Sequence, residues 1–311
     1  MINLPIWFGT GDLGSRGTID ENFAALDAFW EAGGRAIDTA HCYSAWLPNG
    51  DGLSETTLGD WIHSRGVAKE VVIATKAAHP LMSEYYPDRP TEYLTESLTR
   101  RDIGQSKERL RLDRFDLLYL HRDQHTVPVA EVRDFMGKLQ SEGHFGKIGV
   151  SNWPGNRVAA WQQLGDDARI DYWQNQGSLP KPTWENGPED PSVRYFTNAD
   201  IELAARERVT LAPYTANAHG YLTRPNFSEG MFDSPANAER RVRAMRVSTE
   251  LGIPADDIAL AYLVSLPGQV QPIIGSLNPA RIRDMVRAVG HRLPANACQY
   301  LNLEIDDWSA A

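Results

Sequence analysis

Short apolar runs alternate with longer amphipathic segments along most of the chain. The run from Val71 to Lys76 and the run from Phe115 to His121 have the length of buried strands. The segment from Asn22 to Glu31 instead carries apolar residues three to four positions apart, which predicts a helix, and Gly33 follows where a helix C-cap belongs. The chain therefore alternates between predicted strands and predicted helices.

The alternation is complete enough to predict an architecture. The predicted strands are 4–9, 36–38, 70–76, 115–121, 146–152, 170–175, 209–214 and 270–275. The predicted helices are 22–31, 54–66, 91–112, 128–143, 154–164, 192–207, 236–251, 254–266, 279–289 and 295–308. Eight strands alternating with helices predict a closed (β/α)8 TIM barrel with additional C-terminal helices. The alternative, a doubly wound open sheet, lacks its GxGxxG turn between the first strand and the first helix.

Composition narrows the class of protein. The chain has 311 residues, of which 42% are hydrophobic and 23% charged, and no linker divides it, so we predict one domain over residues 1–311. The net charge of -10 argues against a nucleic-acid partner. No apolar run reaches 18 residues and the N-terminus has no signal-peptide pattern, so we expect a cytoplasmic protein without a membrane segment. Its two cysteines argue against a disulfide framework.

Three of the predicted strands end on ionisable groups. Asp38 ends the second strand and is followed closely by Tyr43, Lys76 ends the third, and His121 ends the fourth. Parallel barrels place their chemistry at the C-terminal ends of strands. A phenol has a reference pKa of about 10, so it donates a proton near neutral pH only if neighbours stabilise its anion. Lys76 and His121 are candidates for such neighbours.

With these strand ends in this order, the sequence resembles the aldo-keto reductase family. The matching stretches are AIDTAHCY, LSETTLGDWI, VVIATK, DLLYLHRD, GKIGVSNW, the pair Gln174-Asn175, LAPYTANAHGYL and PIIGSLNPARI. The resemblance implies a β/α barrel that reduces a small carbonyl compound, or oxidises the alcohol, with a nicotinamide cofactor that is usually NADPH. A sugar is one candidate substrate.

The residue types suit carbonyl reduction. A carbonyl that receives hydride develops negative charge on oxygen, so an acid must lie beside it, and Tyr43 is the predicted acid. Lys76 as a cation favours the phenolate, and Asp38 keeps Lys76 charged and oriented. His121 is predicted to donate a hydrogen bond to the carbonyl oxygen. The hydride belongs to the cofactor.

The resemblance also implies a cofactor site. It implies that Ser151, Asn152 and Gln174 bind the nicotinamide carboxamide, and that Tyr214 stacks on the nicotinamide ring. Ser276 and Arg281 match contacts of a 2′-phosphate, which favours NADPH. The complete predicted set is Gly9, Thr10, Gly11, Ser151, Asn152, Gln174, Tyr214, Gly275, Ser276, Asn278 and Arg281. Family members that hold this phosphate firmly often have a lysine where this chain has Gly275, so use of NADH stays open.

Two other functions fit parts of the sequence. Relatives of this fold serve as channel subunits that bind the cofactor chiefly to regulate, so a cofactor-sensing protein with slow or no turnover is one alternative. The histidines suggest a metal-dependent barrel hydrolase as another, although the chain has no HxH or HExxH pattern and we predict no metal ligand. The four histidines that suggest this hydrolase are His41, His79, His121 and His125. Specificity is expected to come from the loops 44–52, 79–90, 181–191 and 217–234.

Overall fold

The strands form one parallel sheet. The structure, a computed structural model, describes residues 4–80, 90–183, 190, 192–224 and 230–308. Within these residues, the strands are β1 (Trp7–Gly9), β2 (Ala36–Asp38), β3 (Val72–Ala77), β4 (Phe115–Leu120), β5 (Phe145–Ser151), β6 (Ile170–Gln174), β7 (Thr210–Leu211) and β8 (Ile273–Ile274). Their spatial order is β7-β6-β5-β4-β3-β2-β1-β8, with every neighbouring pair parallel.

Backbone hydrogen bonds join the two ends of this sheet. Leu211 of β7 makes a parallel bridge to Val270, three residues before β8. The amide of Leu211 donates to the carbonyl of Gln269 at 2.9 Å, and the amide of Gln271 donates to the carbonyl of Leu211 at 2.8 Å. The sheet thus curls until its edges meet, and the predicted (β/α)8 architecture is confirmed.

Helices follow the strands along the chain. They are α1 (Ile19–Glu31), α2 (Leu53–Arg65), α3 (Glu96–Leu110), α4 (Val129–Ser141), α5 (Gly155–Gln162), α6 (Asn198–Glu207), α7 (Pro235–Leu251), α8 (Ile258–Val264), α9 (Pro279–Ala288) and α10 (Ala295–Leu301). Local sequence explains several ends. Thr18 and Glu21 form a capping box at the start of α1, and Gly66 ends α2 in the left-handed conformation at φ 68°. Among the described residues, no helix combines the length and apolarity needed to span a membrane.

Two apolar clusters hold the barrel together. The larger contains alternate strand residues such as Phe8, Ile37 and Leu118 together with the buried faces of the helices. The smaller fills the barrel interior and includes Trp7, Ala36, Ala74, Leu117, Tyr119, Tyr172, Ala212 and Ile273. A Cβ on Gly149 would lie 2.4 Å from the Tyr119 ring, so only glycine fits there. The filled interior leaves the C-terminal end of the barrel for chemistry.

Two helices begin later than the sequence pattern predicts. We expected a helix from Thr91, but α3 begins at Glu96 because Thr95 is its N-cap and because the Gln124 side chain accepts the amide of Tyr93 at 3.0 Å. We expected another helix from about Ser192, but α6 begins at Asn198 behind a capping box at Thr197. The preceding residues pair with the chain after β6 instead, where the Phe196 amide donates to the Gln176 carbonyl at 2.9 Å.

The last two strands and the last helix are shorter than predicted. The expected strand 209–214 reduces to Thr210–Leu211, and the expected strand 270–275 reduces to Ile273–Ile274. Pro213 and Pro272 lie in these segments, and proline has no amide hydrogen to donate to a neighbouring strand. The helix predicted over 295–308 ends at Leu301.

Candidate active site

The four predicted catalytic residues meet at the C-terminal end of the barrel. Asp38 is the last residue of β2, Lys76 lies one residue before the end of β3, and His121 directly follows β4. Tyr43 lies in the loop after β2 and is half-buried. Lys76 is only 1% exposed and Asp38 only 3%. Adjacent parallel strands therefore bring the four side chains together although they are up to 83 positions apart in sequence.

The Lys76 ammonium is the centre of this group. Its Nζ donates to Asp38 Oδ2 at 2.6 Å, to Tyr43 Oη at 2.9 Å and to the carbonyl of Thr39 at 2.9 Å. The second oxygen of Asp38 accepts a hydrogen bond from Gln174 Nε2 at 2.8 Å. Because Tyr43 Oη accepts from Lys76, its own hydroxyl hydrogen remains available for another acceptor.

Burial and charge oppose each other in this group. Burial raises the pKa of Tyr43 above 10.0, and the Lys76 ammonium lowers it against that effect. Burial also raises the pKa of Asp38, again opposed by Lys76. Burial acts to lower the pKa of Lys76, but Asp38 and Tyr43 together raise it above 10.5. Near neutral pH the arrangement therefore holds a protonated phenol beside a charged ammonium.

His121 is fixed from two sides. Its amide donates to the carbonyl of Ala77 at 2.9 Å, and its Nδ1 lies 3.4 Å from Cys42 Sγ. The imidazole meets the Tyr43 ring edge to face, with 5.9 Å between ring centroids. Both rings line the same cavity, so a single carbonyl oxygen can contact both side chains.

This cavity has a volume of about 460 Å³ and opens at the strand ends. It brings together most of the predicted site residues, namely Gly9, Gly11, Asp38, Tyr43, His121, Ser151, Asn152, Gln174, Tyr214 and Gly275. Lys76 lies directly behind Asp38 and Tyr43, to which it donates hydrogen bonds. The volume suits a flat cofactor ring and a small substrate.

The residues predicted to hold a carboxamide form a hydrogen-bonded chain. Tyr214 Oη donates to Asn152 Oδ1 at 2.8 Å, and Asn152 Nδ2 donates to Ser151 Oγ at 3.1 Å. Ser151 Oγ in turn donates to Gln174 Oε1 at 3.3 Å, which links the chain to Asp38. Asn152 has a φ of 59°, a left-handed conformation that asparagine tolerates better than most residues. These polar groups are therefore held in fixed orientations on one wall of the cavity.

A second cavity, of about 670 Å³, continues from the first and shares Asp12, Asn217, His219, Gly275 and Met285 with it. Ser276 and Arg281 line this second cavity, as do Arg16 and Arg224, which the sequence analysis did not select. Four carboxylates also line it, those of Asp12, Asp256, Asp257 and Asp284, and Arg16 pairs with Asp12 at 3.2 Å. The guanidinium of Arg281, in the first turn of α9, suits a phosphate group. The two connected cavities match an elongated molecule with phosphate at one end.

Thr10 and Asn278 do not line either cavity. Thr10 is buried, donates to the Asp38 carbonyl at 3.2 Å and accepts from Ser54 Oγ at 3.2 Å, so it supports the end of β2. Asn278 is the N-cap of α9, where its Oδ1 accepts the amides of Ala280 at 3.0 Å and Arg281 at 3.2 Å. Both contacts are structural, and a direct role in cofactor binding stays a prediction for these two residues.

Arg122 is a further cavity residue that the sequence pattern did not indicate. This residue lines the first cavity, where its guanidinium donates to the His121 carbonyl at 3.0 Å and to Ser192 Oγ at 2.9 Å. It also pairs with Asp190 at 3.1 Å. The signal in the sequence was the position of Arg122 directly after His121. Its partners Asp190 and Ser192 lie 68 and 70 positions further along the chain, so no local pattern indicates them. The loop residues 81–89, 184–189, 191 and 225–229, from which we expected specificity, lie outside the described residues.

The sequence pattern of the Aldo/keto reductase family matches residues 5–303 of the chain. The chain belongs to this family. Norsolorinic acid reductase stcV of Emericella nidulans is 29% identical over 93% of this chain and 75% of its own length. An aryl-alcohol dehydrogenase [NADP(+)] of Phanerodontia chrysosporium is 28% identical over 96% of this chain and 81% of its own. The expected class, an oxidoreductase, is thereby confirmed.

Solved structures of the family share the fold. An aldo-keto reductase from Klebsiella pneumoniae, in complex with NADPH, aligns with a TM-score of 0.71 at 22% identity over 96% of this chain and 90% of that one. The holo form of an aldo-keto reductase from Bacillus halodurans aligns with a TM-score of 0.73 at 20% identity over 96% and 91% of the two chains. At these identities the likeness supports the barrel architecture.

Proposed function

We propose that this aldo/keto reductase reduces an aldehyde or ketone to the alcohol with NADPH, and that Tyr43 is the general acid. The observation that carries the proposal is the 2.9 Å hydrogen bond from Lys76 to Tyr43 Oη, at a position where the phenol also faces the cavity. An acid for carbonyl reduction needs a proton to give and a nearby cation to stabilise the anion that remains. Tyr43 has both.

Each of the four side chains has a separate task in this reaction. When bound, the cofactor supplies the hydride that adds to the carbonyl carbon. Tyr43 Oη transfers its proton to the developing alkoxide, so the phenol becomes phenolate and the substrate becomes alcohol. Lys76 stabilises the phenolate by charge at 2.9 Å, and Asp38 holds Lys76 in place at 2.6 Å. His121 donates a hydrogen bond that orients the carbonyl oxygen.

The chain's own residues fit NADPH. The amide and hydroxyl groups of Ser151, Asn152 and Gln174 offer the donors and acceptors that a carboxamide requires. At the other end, Ser276 and Arg281 line the second cavity, and the Arg281 guanidinium suits a 2′-phosphate. The Phanerodontia relative is named as an NADP(+) enzyme, which agrees with this assignment. Gly275 supplies no cation to the 2′-phosphate, so the preference for NADPH is limited. We therefore expect the protein to bind NADH as well, more weakly than NADPH.

The substrate is a small carbonyl compound. One relative is named for aryl alcohols, and Tyr43 and His121 line a cavity of about 460 Å³. Aryl aldehydes are therefore the first substrates to test, followed by the sugars that the sequence analysis suggested. If the protein reduces sugars but not aryl aldehydes, sugars become the favoured substrate class.

The decisive variant is Tyr43→Phe, which removes the acid and keeps the ring. We expect the rate of NADPH-dependent reduction to fall by at least about 10²-fold to 10⁴-fold, as for other general acids. The Kd for NADPH, followed by quenching of tryptophan fluorescence, is expected to change less than about twofold, because binding does not need the hydroxyl hydrogen. The matched control is Tyr300→Phe on α10, which keeps full activity. Wild-type rates in Tyr43→Phe would refute the assignment of the acid.

Titration with NADPH, combined with an assay for carbonyl reduction, also distinguishes the reductase from the alternative functions. Tight binding of NADPH with turnover of a carbonyl supports the reductase, whereas tight binding without turnover of any tested carbonyl supports a cofactor-sensing role. The complete group of Asp38, Tyr43, Lys76 and His121 favours the reductase. The family match argues against the metal-dependent hydrolase, because that match identifies an oxidoreductase.

A further inference from the structure

Three metal-binding side chains, one thiol and two imidazoles, meet beside the cavity. The Cys42 sulfur and ring nitrogens of His79 and His121 all lie within 4.8 Å of one another. They follow β2, β3 and β4 respectively, so three neighbouring strand ends supply them. Cys42 and His121 are buried and His79 is half-buried. His41 lies outside this group, with its Nε2 at 2.7 Å from Gln105 Oε1.

The spacing suits a tetrahedral metal ion. With Zn–S of about 2.3 Å and Zn–N of about 2.0 Å, a tetrahedral angle puts ligand sulfur and nitrogen about 3.5 Å apart. Cys42 Sγ and His121 Nδ1 are 3.4 Å apart. The His79 donor lies within 4.8 Å of both of these atoms, so the half-buried ring must approach by up to about 1.3 Å to reach the tetrahedral spacing. Thiolate and imidazole are the donors that Zn²⁺ prefers.

The ring of His79 is already in the state that binds a metal. Its Nδ1 lies 3.1 Å from the carbonyl of Pro80, and since a carbonyl only accepts, Nδ1 carries the hydrogen. A neutral imidazole with its hydrogen on Nδ1 has its lone pair on Nε2, the nitrogen that would bind the ion. A ligating histidine that donates its other N–H to a backbone carbonyl is the usual arrangement at metal sites, where the bond orients the ring.

We propose that Cys42, His79 and His121 bind a Zn²⁺-type ion, with the fourth coordination position facing the cavity, and that this binding inhibits carbonyl reduction. Binding displaces the thiol proton of Cys42 to solvent and forms one Zn–S and two Zn–N bonds without a redox step. The inhibition, unlike the binding, rests on the proposed function, because His121 orients the substrate carbonyl and the metal holds the same ring. A metal bound at Nδ1 fixes this ring and adds positive charge to it, so the bound ion alters the side chain that the substrate needs.

Co²⁺ is the probe for the site, because a thiolate ligand gives it a charge-transfer band in the near ultraviolet. We expect the wild-type protein, titrated with Co²⁺ in the absence of cofactor, to develop this band, and Zn²⁺ to abolish it. Cys42→Ala should lose the band. His79→Gln should weaken the apparent affinity by more than about 100-fold, since losing even an outer partner of a metal ligand costs about 10-fold to 100-fold.

Matched controls exist for both ligand types. Cys298→Ala removes the other cysteine, which lies on α10, and His125→Gln removes an exposed histidine of the loop after β4. Both should keep the wild-type Co²⁺ spectrum and affinity. Circular dichroism verifies that each variant is folded, and His79→Gln, at a half-buried position, decides the case if Cys42→Ala does not fold. No band in the wild type, or a band that survives Cys42→Ala, overturns the site.

A second arm tests the inhibition. Zn²⁺ should lower the NADPH-dependent reduction rate of the wild type at least about tenfold when it saturates the site, EDTA should restore the rate, and His79→Gln should resist. A Co²⁺ band together with a Zn²⁺-insensitive rate overturns the inhibition and leaves the site standing. If the metal-free protein reduces no carbonyl, the proposed function fails, and the spectrum still decides the metal site.

Discussion

At the scale of single residues, the candidate site is defined by one buried cation. Lys76 is almost fully buried, yet it remains charged because Asp38, Thr39 and Tyr43 accept its hydrogen bonds. A buried ion pair contributes little net stability, but losing one partner leaves the other charge uncompensated. Lys76 therefore links the stability of the barrel end to the chemistry of the phenol.

Replacing Lys76 with Met tests both roles. We expect the free energy of unfolding to fall by about 3 to 5 kcal/mol, because Asp38 stays buried without its cation. We also expect the reduction rate to fall by about 10²-fold to 10⁴-fold, since the cation no longer lowers the pKa of Tyr43. Urea unfolding and steady-state kinetics measure the two effects, with Lys69→Met, at an exposed position, as the control. The double variant Asp38→Asn/Lys76→Met should regain part of the stability and none of the rate.

Arg281 tests the choice of cofactor. It lies in the first turn of α9 and lines the second cavity, where a 2′-phosphate would be its partner. Arg281→Ala should raise the Kd for NADPH about 10-fold to 100-fold, the value of one or two charged hydrogen bonds, and should change the Kd for NADH less than about twofold. The control is Arg283→Ala on the same helix, whose guanidinium pairs with Glu31 at 3.3 Å. Equal losses for both cofactors would contradict the assignment.

At the scale of helices and strands, the sequence predicts those features that residues close together in the chain determine. The caps at Thr18 and Gly66 and the polar ends of β2, β3 and β4 lie close to where the pattern places them. The starts of α3 and α6 do not, because contacts with distant residues keep the preceding segments extended. Gln124, for example, binds the Tyr93 amide from 31 residues away. No local pattern contains that information.

The contact between α1 and α2 gives a prediction for pH. Asp27 accepts hydrogen bonds from Arg65 Nε at 2.9 Å and from Trp61 Nε1 at 2.8 Å. The hydrogen bond from Arg65 is the main cause that lowers the pKa of Asp27 below 3.8, against the effect of burial. A folded-state pKa below the unfolded value adds stability above pH 3.8, and this stability is lost as the pH falls through the folded-state pKa.

Asp27→Asn should therefore be less stable than wild type at pH 7, by up to about 1 kcal/mol for a partly exposed pair. The difference should shrink as the pH falls below 3.8, because wild-type Asp27 then becomes neutral as well. Urea unfolding at several pH values measures the difference, with Asp134→Asn on α4 as an exposed control. A difference that grows toward low pH would show that Asp27 stabilises the fold in another way.

At the scale of the whole molecule, the barrel brings together residues that the sequence separates. The eight strands and their ionisable ends were predictable, because each strand is a short stretch of chain with its own apolar pattern. The bond from Gln174 to Asp38 spans 136 positions, and the Cys42, His79 and His121 group combines three loops. Such contacts depend on how the sheet closes, and closure is a property of the complete barrel.

The closure itself is the expected weak point of the barrel. Between β7 and β8 the seam rests on backbone hydrogen bonds from the amides of Leu211, Gln271 and Ile273 to the carbonyls of Gln269, Leu211 and Pro213. By contrast, β4 and β5 pair along Phe115 to Leu120. Regions with few backbone hydrogen bonds open first, so the amides of Leu211 and Gln271 should exchange with deuterium faster than those in the middle of β4. The seam also forms part of the cavity wall, since Tyr214 follows β7 and Gly275 follows β8.

A bound cofactor should therefore stabilise the closed seam, because the proposed NADPH site touches both of its sides. At 100 times its Kd, a ligand stabilises the state it binds by about 2.7 kcal/mol, which slows exchange through the open state about 100-fold. We expect NADPH to slow exchange at Leu211 and Gln271 by up to this factor and to leave the exposed α7 surface unchanged. Deuterium exchange followed by mass spectrometry measures the effect, and Arg281→Ala should reduce it at a fixed NADPH concentration. Equal slowing in all strands would mean that the barrel opens as one unit and that the seam is no weaker than the rest.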